Sequence, residues 1–274
     1  MLQVSSEIID TLHSEKEIEL WDKRIALYPN LYLELVDQAA PAHTGLAKVT
    51  AKKTIRKIKT SSAYSLTPRN REQIFAMDAL LDPAITVVVL AGRAGTGKTL
   101  CCLAAALQQK TNGLFKKILL TRPMSEVGRY KLGALPGDIS EKFGPFLSNY
   151  TTNMEHFVGE NVRDLIEQTG ITIMPLQLVR GASFKDTFVI ADEMQICNHQ
   201  EILTIGTRVA EGSKIVIMGD LGQRDENIPK DKTGIYKLFN DPTAKESPLV
   251  ATIELQKCER SVTAKFFADL FEGE

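Results

Sequence analysis

Between residues 84 and 218, short apolar runs recur, each followed by a longer segment of helical composition. Thr86–Leu90, Lys117–Thr121, Ile171–Pro175, Thr187–Ala191 and Lys214–Met218 are rich in Val, Ile and Leu. Continuous apolar runs of this length predict strands buried on both faces, and their alternation with helices predicts an α/β fold with a parallel sheet between helices. The first sixty residues read differently. They lack a long helical period, and Glu17–Leu20, Asn30–Val36 and Lys48–Ile58 are short β-rich runs separated by Pro-Asn and Pro-Ala-His-Thr-Gly turns. This predicts a small β module over 1–62. From Ser65 the pattern changes: Thr67-Pro68 is suited to opening a helix, and Ile74, Met77, Leu80 and Leu81 follow at helical spacing. A second domain is therefore expected over 63–274.

Composition narrows the class without deciding it. Apolar residues make up 43% and charged residues 24%, an ordinary globular mix that excludes disorder, collagen and coiled coil. The longest apolar stretch, around Ala84 to Ala91, falls far short of the ~20 residues of a membrane helix. The acidic start resembles neither a signal nor a transit peptide, so a cytoplasmic protein without a membrane partner is expected. Cys101, Cys102, Cys197 and Cys258 have no paired spacing and read as thiols rather than disulfides or zinc ligands. His13, His43, His156 and His199 likewise show no metal spacing.

The net charge of −1 conceals an asymmetry. Residues 1–40 carry eight acids and three bases, whereas residues 41–60 carry six bases and no acid. Lys48, Lys52, Lys53, Arg56, Lys57 and Lys59 suit either the phosphates of a nucleic acid or a solvated strand face, and the run alone leaves both readings open.

The strongest chemical signal follows the first apolar run of the second domain. Gly92-Arg93-Ala94-Gly95-Thr96-Gly97-Lys98-Thr99 matches G-x-x-x-x-G-K-[ST] and leads into the helix-like Leu100–Gln109. Glycines let backbone N–H groups curl around phosphate oxygens, and a helix N-terminus adds its partial positive charge. Lys98 is placed to bridge β- and γ-phosphates and Thr99 to offer a hydroxyl to Mg2+. With Leu100, these residues form the expected cofactor-binding loop.

Two weaker signals become meaningful beside it. Phe188-Val189-Ile190-Ala191 ends in Asp192-Glu193, where Asp192 suits a magnesium water shell and Glu193 suits orientation or deprotonation of an attacking water. Alone, such a pair also describes a solvated strand end. Ile215–Met218 runs into Gly219-Asp220-Leu221-Gly222-Gln223, in which the Gln223 carboxamide is positioned to sense a γ-phosphate.

The order GRAGTGKT, DEMQ, GDLGQ resembles the ATPase domain of PhoH-like proteins, relatives of superfamily-one helicases with a RecA-like core. The resemblance includes TPRNREQ, RPMSEVGRYKLGALPGD, PLQLVRGAS and LQKCERS, and so spans residues 65–271. PNLYLELVD and HTGLAKV resemble the segment preceding the ATPase in the PIN-PhoH branch. A PIN nuclease does not fit before residue 62, so ribonuclease activity is not expected. The chain departs from the family at Met194, at Ala182 and in QRDEN after Gly222. The resemblance implies that Gln73 reads the adenine edge, that Arg260 reaches the γ-phosphate, and that Arg180 contacts RNA. Arg122, Arg129 and Arg208 are weaker candidates for an arginine supplied to a neighbouring subunit.

These readings imply an ATPase using ATP and Mg2+, coupled to single-stranded RNA, with DNA as a further candidate partner, and to helicase-like remodelling. Residues 63–274 hold one such core where a superfamily-one helicase carries two. A homo-oligomer is therefore expected, a hexameric ring being one such arrangement. A nucleotide-dependent protein-binding switch without translocation is the alternative, and a small-molecule kinase fits DEMQ and Gln223 less well.

Overall fold

The computed structural model describes residues 1–20, 22, 24–123, 144–158, 161–223 and 229–258, with positions 263, 266 and 270. Arg129 and Arg260, most of RPMSEVGRYKLGALPGD and all of QRDEN after Gln223 lie outside the described residues.

Each of the five apolar runs forms a strand. β5 (Val87–Gly92), β6 (Lys117–Arg122), β7 (Ile171–Pro175), β8 (Thr187–Ala191) and β9 (Lys214–Gly219) join β10 (Val250–Leu255) in a six-stranded sheet of order β10-β5-β9-β8-β6-β7. Every neighbouring pair is parallel. The alternation of side chains across the sheet explains the apolar runs. Val88, Leu90, Phe188, Ile190, Val216 and Met218 enter one core, whereas Val89, Val189, Ala191, Ile215 and Ile217 enter the other. Helices cover both faces. α2 (Arg71–Leu81), α3 (Lys98–Thr111), α4 (Gly144–Val158) and α5 (Val162–Thr169) contribute to the first core, and α6 (His199–Gly206) and α7 (Gly234–Asn240) to the second. A short α8 (Pro242–Glu246) leads into β10. This is an α/β fold with a parallel sheet between helices, in which β9 lies between β5 and β8. Strand β10 was not legible as an apolar run because only alternate residues, Ala251, Ile253 and Leu255, are buried at this sheet edge.

The N-terminal region adds a helix to its β-rich sheet. β1 (Leu2–Val4), β2 (Tyr32–Asp37), β3 (Thr44–Val49) and β4 (Ile55–Lys57) form a sheet of order β1-β2-β3-β4, with β1 parallel to β2 and the remaining pairs antiparallel. Helix α1 (Ser6–Ser14) packs Ile9 and Leu12 against the sheet's buried face, which includes Leu35, Val49 and Ile55. Nine residues with so few apolar positions hold too little periodicity to announce a helix. Glu17–Leu20 forms no strand and gives one bridge, Ile18 to Ile55. Lys48–Ile58 is split by a turn with Lys53 at φ +63°.

Helix α2 begins later than Thr67-Pro68. Asn70 caps it by accepting the Gln73 N–H at 3.0 Å, so the first turn starts at Arg71. The same helix receives the N-terminal sheet: Tyr32 Oη donates to Asp78 at 2.8 Å, and Arg71 pairs with Glu34 at 2.6 Å. Asn30 Nδ2 donates to the carbonyls of Pro248 and Val250, both at 2.9 Å, tying the turn before β2 to the start of β10.

Candidate nucleotide site

Strand β5 delivers the glycine-rich loop to the carboxyl edge of the sheet, and helix α3 leaves from it at Lys98. Two glycines here are obligatory for separate reasons. Gly92 has φ +149°, and a Cβ on it would fall 2.3 Å from the Leu255 carbonyl of β10. Gly97, the α3 N-cap at φ +89°, would place a Cβ 2.8 Å from Gln73 Nε2. Thr96 is buried and closes the loop by donating its hydroxyl to the Arg93 carbonyl at 2.9 Å. Lys98 Nζ donates to the carbonyls of Gly92 and Arg93 on the same loop. Burial lowers the Lys98 ammonium below its usual value, while Asp192, Asp220 and Glu193 oppose that shift.

The two acids come from the end of β8. The Asp192 N–H donates to the Thr121 carbonyl at 2.8 Å, so β6 fixes where the carboxylate leaves the sheet. Burial and then the neighbouring Glu193 charge push the Asp192 carboxyl up to about 6. Glu193 turns the chain at φ +56°, a left-handed conformation unusual for a residue with a side chain. Gln195 holds it there. Its Nε2 donates to Glu193 Oε2 at 2.7 Å, and its Oε1 accepts the Asp220 N–H at 3.3 Å. Gly219 makes room, because a Cβ on it would lie 2.7 Å from Gln195 Oε1. Gln195 thus links the ends of β8 and β9, a function within DEMQ that its spacing does not announce.

These groups surround one cavity of about 570 Å3. Ala94, Gly95 and Gly97 of the loop and Lys98 and Cys101 at the start of α3 line it, and Asp192 and Glu193 face it from β8. Arg69 and Gln73 enter from the α2 side, and Thr152, Asn153 and His156 from α4. Thr99 and Leu100 also line it, as expected of the loop. The α4 residues carry no motif. Only their tertiary placement brings them to the site. Gln73 is buried, with Nε2 donating to the Thr96 carbonyl at 3.1 Å and Oε1 accepting from the Arg69 N–H at 2.9 Å. One amide hydrogen and one oxygen lone pair are left by these two bonds. Gln223 is exposed and does not line the cavity, whereas Asp220 of the same turn is buried and caps the Gly222 N–H at 2.8 Å.

The expected basic surface is smaller than the sequence implied. Lys48 is buried, with Nζ 2.9 Å from Asp78 and 2.6 Å from Asp82, and is withdrawn from any phosphate by its inward position on β3. Lys52, Lys57 and Lys59 are exposed. Lys53 is 52% exposed and pairs with Glu246, and Arg56 is 47% exposed and reaches Asp82 at 3.4 Å. Arg180 is exposed on a separate groove of about 210 Å3 that also includes Leu176 and Glu201. Among the described residues, no group of His, Cys, Asp or Glu is arranged to hold a metal by itself, and no helix is long and apolar enough to cross a membrane.

A family model of PhoH-like proteins matches residues 65–272, the part of the chain that carries the loop, both acids and the sheet around them. The chain belongs to the PhoH family. It is 33% identical to Protein PhoH2 of Mycolicibacterium smegmatis over 287 residues, covering 99% of this chain and 61% of that protein. Protein PhoH2 of Bacillus subtilis is 32% identical over 283 residues, covering 98% and 63%. The chain therefore spans about three fifths of the length of these curated relatives. The crystal structure of the Pif1 helicase from Candida albicans is similar at a TM-score of 0.39 and 15% identity, over 76% of this chain and 44% of that one. Family membership and the placement of the loop between β5 and α3 make the protein a P-loop NTPase-like member of the PhoH family.

Proposed function

We propose that this PhoH-family chain hydrolyses ATP with Mg2+ and couples turnover to single-stranded RNA binding and helicase-like remodelling, as a cytoplasmic homo-oligomer. The carrying observation is that one cavity receives Lys98 and Thr99 from the loop after β5 and Asp192 and Glu193 from the end of β8. Backbone N–H groups of the loop and the N-terminus of α3 bind phosphate oxygens. Lys98 leaves its carbonyl partners for the β- and γ-phosphates, where its charge offsets the negative charge of the transition state. Glu193, held by Gln195, accepts a proton from water as its oxygen attacks the γ-phosphorus, and the bond to the ADP oxygen breaks.

The donor set suits magnesium. Thr99 Oγ1 would supply a hard oxygen ligand beside a phosphate site and Asp192 would hold the ion through its water shell, since Mg2+ characteristically takes one or two protein oxygens together with phosphates and water. When bound, the ion would supply positive charge that offsets the negative charge of the phosphates. Arg260 and Gln223 are the further candidates for contact with the γ-phosphate, and Lys52, Lys53, Arg56, Lys57, Lys59 and Arg180 for contact with RNA.

Phosphate release from ATP, measured with and without single-stranded RNA across a salt series, tests the reading. RNA should raise turnover, with an effect that weakens as salt rises. Light scattering on the same sample should show an oligomer. Turnover indifferent to RNA but raised by a protein partner would establish the switch instead, and a monomer with full RNA-stimulated turnover would remove the oligomer.

A further inference from the structure

Helix α2 is held at both ends by groups of different kinds. Near its N-terminus, Gln73 donates to the Thr96 carbonyl inside the phosphate-binding loop and lies where a Gly97 side chain would otherwise fit. Glu72 accepts the N–H groups of Gln256 and Lys257, at 2.7 and 2.9 Å, from the segment after β10. Its C-terminal end is a charge cluster. Asp78 and Asp82 stand where the helix dipole is itself negative, an unfavourable placement unless cations surround it. Three cations do. Lys48 pairs with both acids, Arg56 reaches Asp82, and Lys214 Nζ donates to the carbonyls of Ala79, Leu80 and Asp82 at 3.2, 2.6 and 2.8 Å.

Lys48 and Lys214 are buried, whereas Arg56 is half exposed on the same strand as exposed Lys57. Arg56 therefore belongs to two surfaces at once. Its pair with Asp82 is long and solvent-facing, a type that contributes little, and a phosphate offers the guanidinium a bidentate, charge-assisted alternative.

Resting on the reading of the basic face as an RNA surface, we propose that α2 couples that face to the nucleotide site. A bound RNA phosphate draws Arg56 from Asp82, removes one cation from the end of α2, and thereby changes the hold of Gln73 on the phosphate-binding loop. The helix is built to carry such a displacement, because its eleven residues span about 16 Å as one hydrogen-bonded rod and a shift at one end is felt at the other.

The chain, its Asp82→Asn variant and its Arg56→Lys variant test this, with a single-stranded oligouridylate as probe. Affinity is read by fluorescence anisotropy and turnover by phosphate release. Asp82→Asn keeps every exposed cation, so its affinity and basal turnover should remain within about twofold of the parent, while stimulation at saturating RNA should largely disappear in both variants. Amide exchange in the parent should change over residues 70–82 and 92–99 on RNA binding. Full stimulation in both variants overturns the coupling and leaves the RNA surface standing. So does a parent that binds RNA without any change in turnover. A parent that binds no RNA overturns both the surface and the coupling. If Asp82→Asn fails to fold, Arg56→Lys and the exchange measurement still decide between them.

Discussion

Lys98 and Glu193 divide the chemistry of the proposed site between charge and proton transfer. Lys98→Ala removes the cation from the phosphate loop, and turnover should fall about 100-fold or more. Near-parental phosphate release by a folded Lys98→Ala protein would remove this assignment. Glu193→Gln keeps size and a hydrogen-bonding oxygen but deletes the proton acceptor, so nucleotide should still bind while hydrolysis falls by about 100-fold. Equilibrium binding of a fluorescent ATP analogue separates the two effects, and loss of binding would show that Glu193 has another role. Gly92 makes a different kind of prediction. A methyl group there meets the Leu255 carbonyl at 2.3 Å in a backbone conformation of φ +149°, so Gly92→Ala should destabilise the protein by about 2 to 3 kcal/mol. Chemical denaturation of the folded variant measures this directly, and an unchanged midpoint would mean that β10 yields easily.

At the scale of elements, the contact between β9 and α2 carries a pH signature. Burial lowers the Lys214 ammonium to about 8, whereas the unfolded chain keeps it near its ordinary value of 10.5. Between those values the unfolded state binds more protons, so this group makes stability rise with pH across the window. Below about 8 both states are protonated and its contribution is constant. Lys214→Met should therefore lose a rise of at most about 1.4 kcal/mol per pH unit between pH 8 and 10.5. Denaturation curves of parent and variant at several pH values read the difference in slope, and parallel slopes would show that Lys214 does not titrate in this range. The elements themselves were unequally legible. Strands β5, β6, β8 and β9 were visible because both faces of each are buried, which forces nearly every residue to be apolar. Helix α1 and strand β10 were not, because each buries one face over a short length.

At the scale of the molecule, the N-terminal sheet brings the proposed basic face to the α2 side of the core. Replacing Lys52, Lys53, Arg56 and Lys57 by alanine should weaken binding to RNAs of different sequence about equally, because phosphate contacts do not read bases. It should also flatten the slope of log affinity against log salt by about 3 if all four contact phosphates. Unchanged affinity and slope in a titration series would make the face merely solvated and place RNA elsewhere on the core.

The glycine-rich loop, the acid pair and the parallel sheet were determined by the sequence itself. Each depends on neighbours along the chain: backbone curvature on closely spaced glycines, burial on consecutive apolar residues, and the position of Asp192-Glu193 on the strand immediately before it. Tertiary structure alone decided which cations face solvent, since Lys48 and Lys57 stand in one basic run but point to opposite environments. It also decided that Gln195 joins Glu193 to Asp220, that α4 supplies a wall of the cavity, and that Gln73 grips the phosphate loop. The physical reason is common to all four. A side chain's charge and hydrogen-bonding groups are written locally, but whether they are spent on water, ligand or protein depends on what distant segments bring against them.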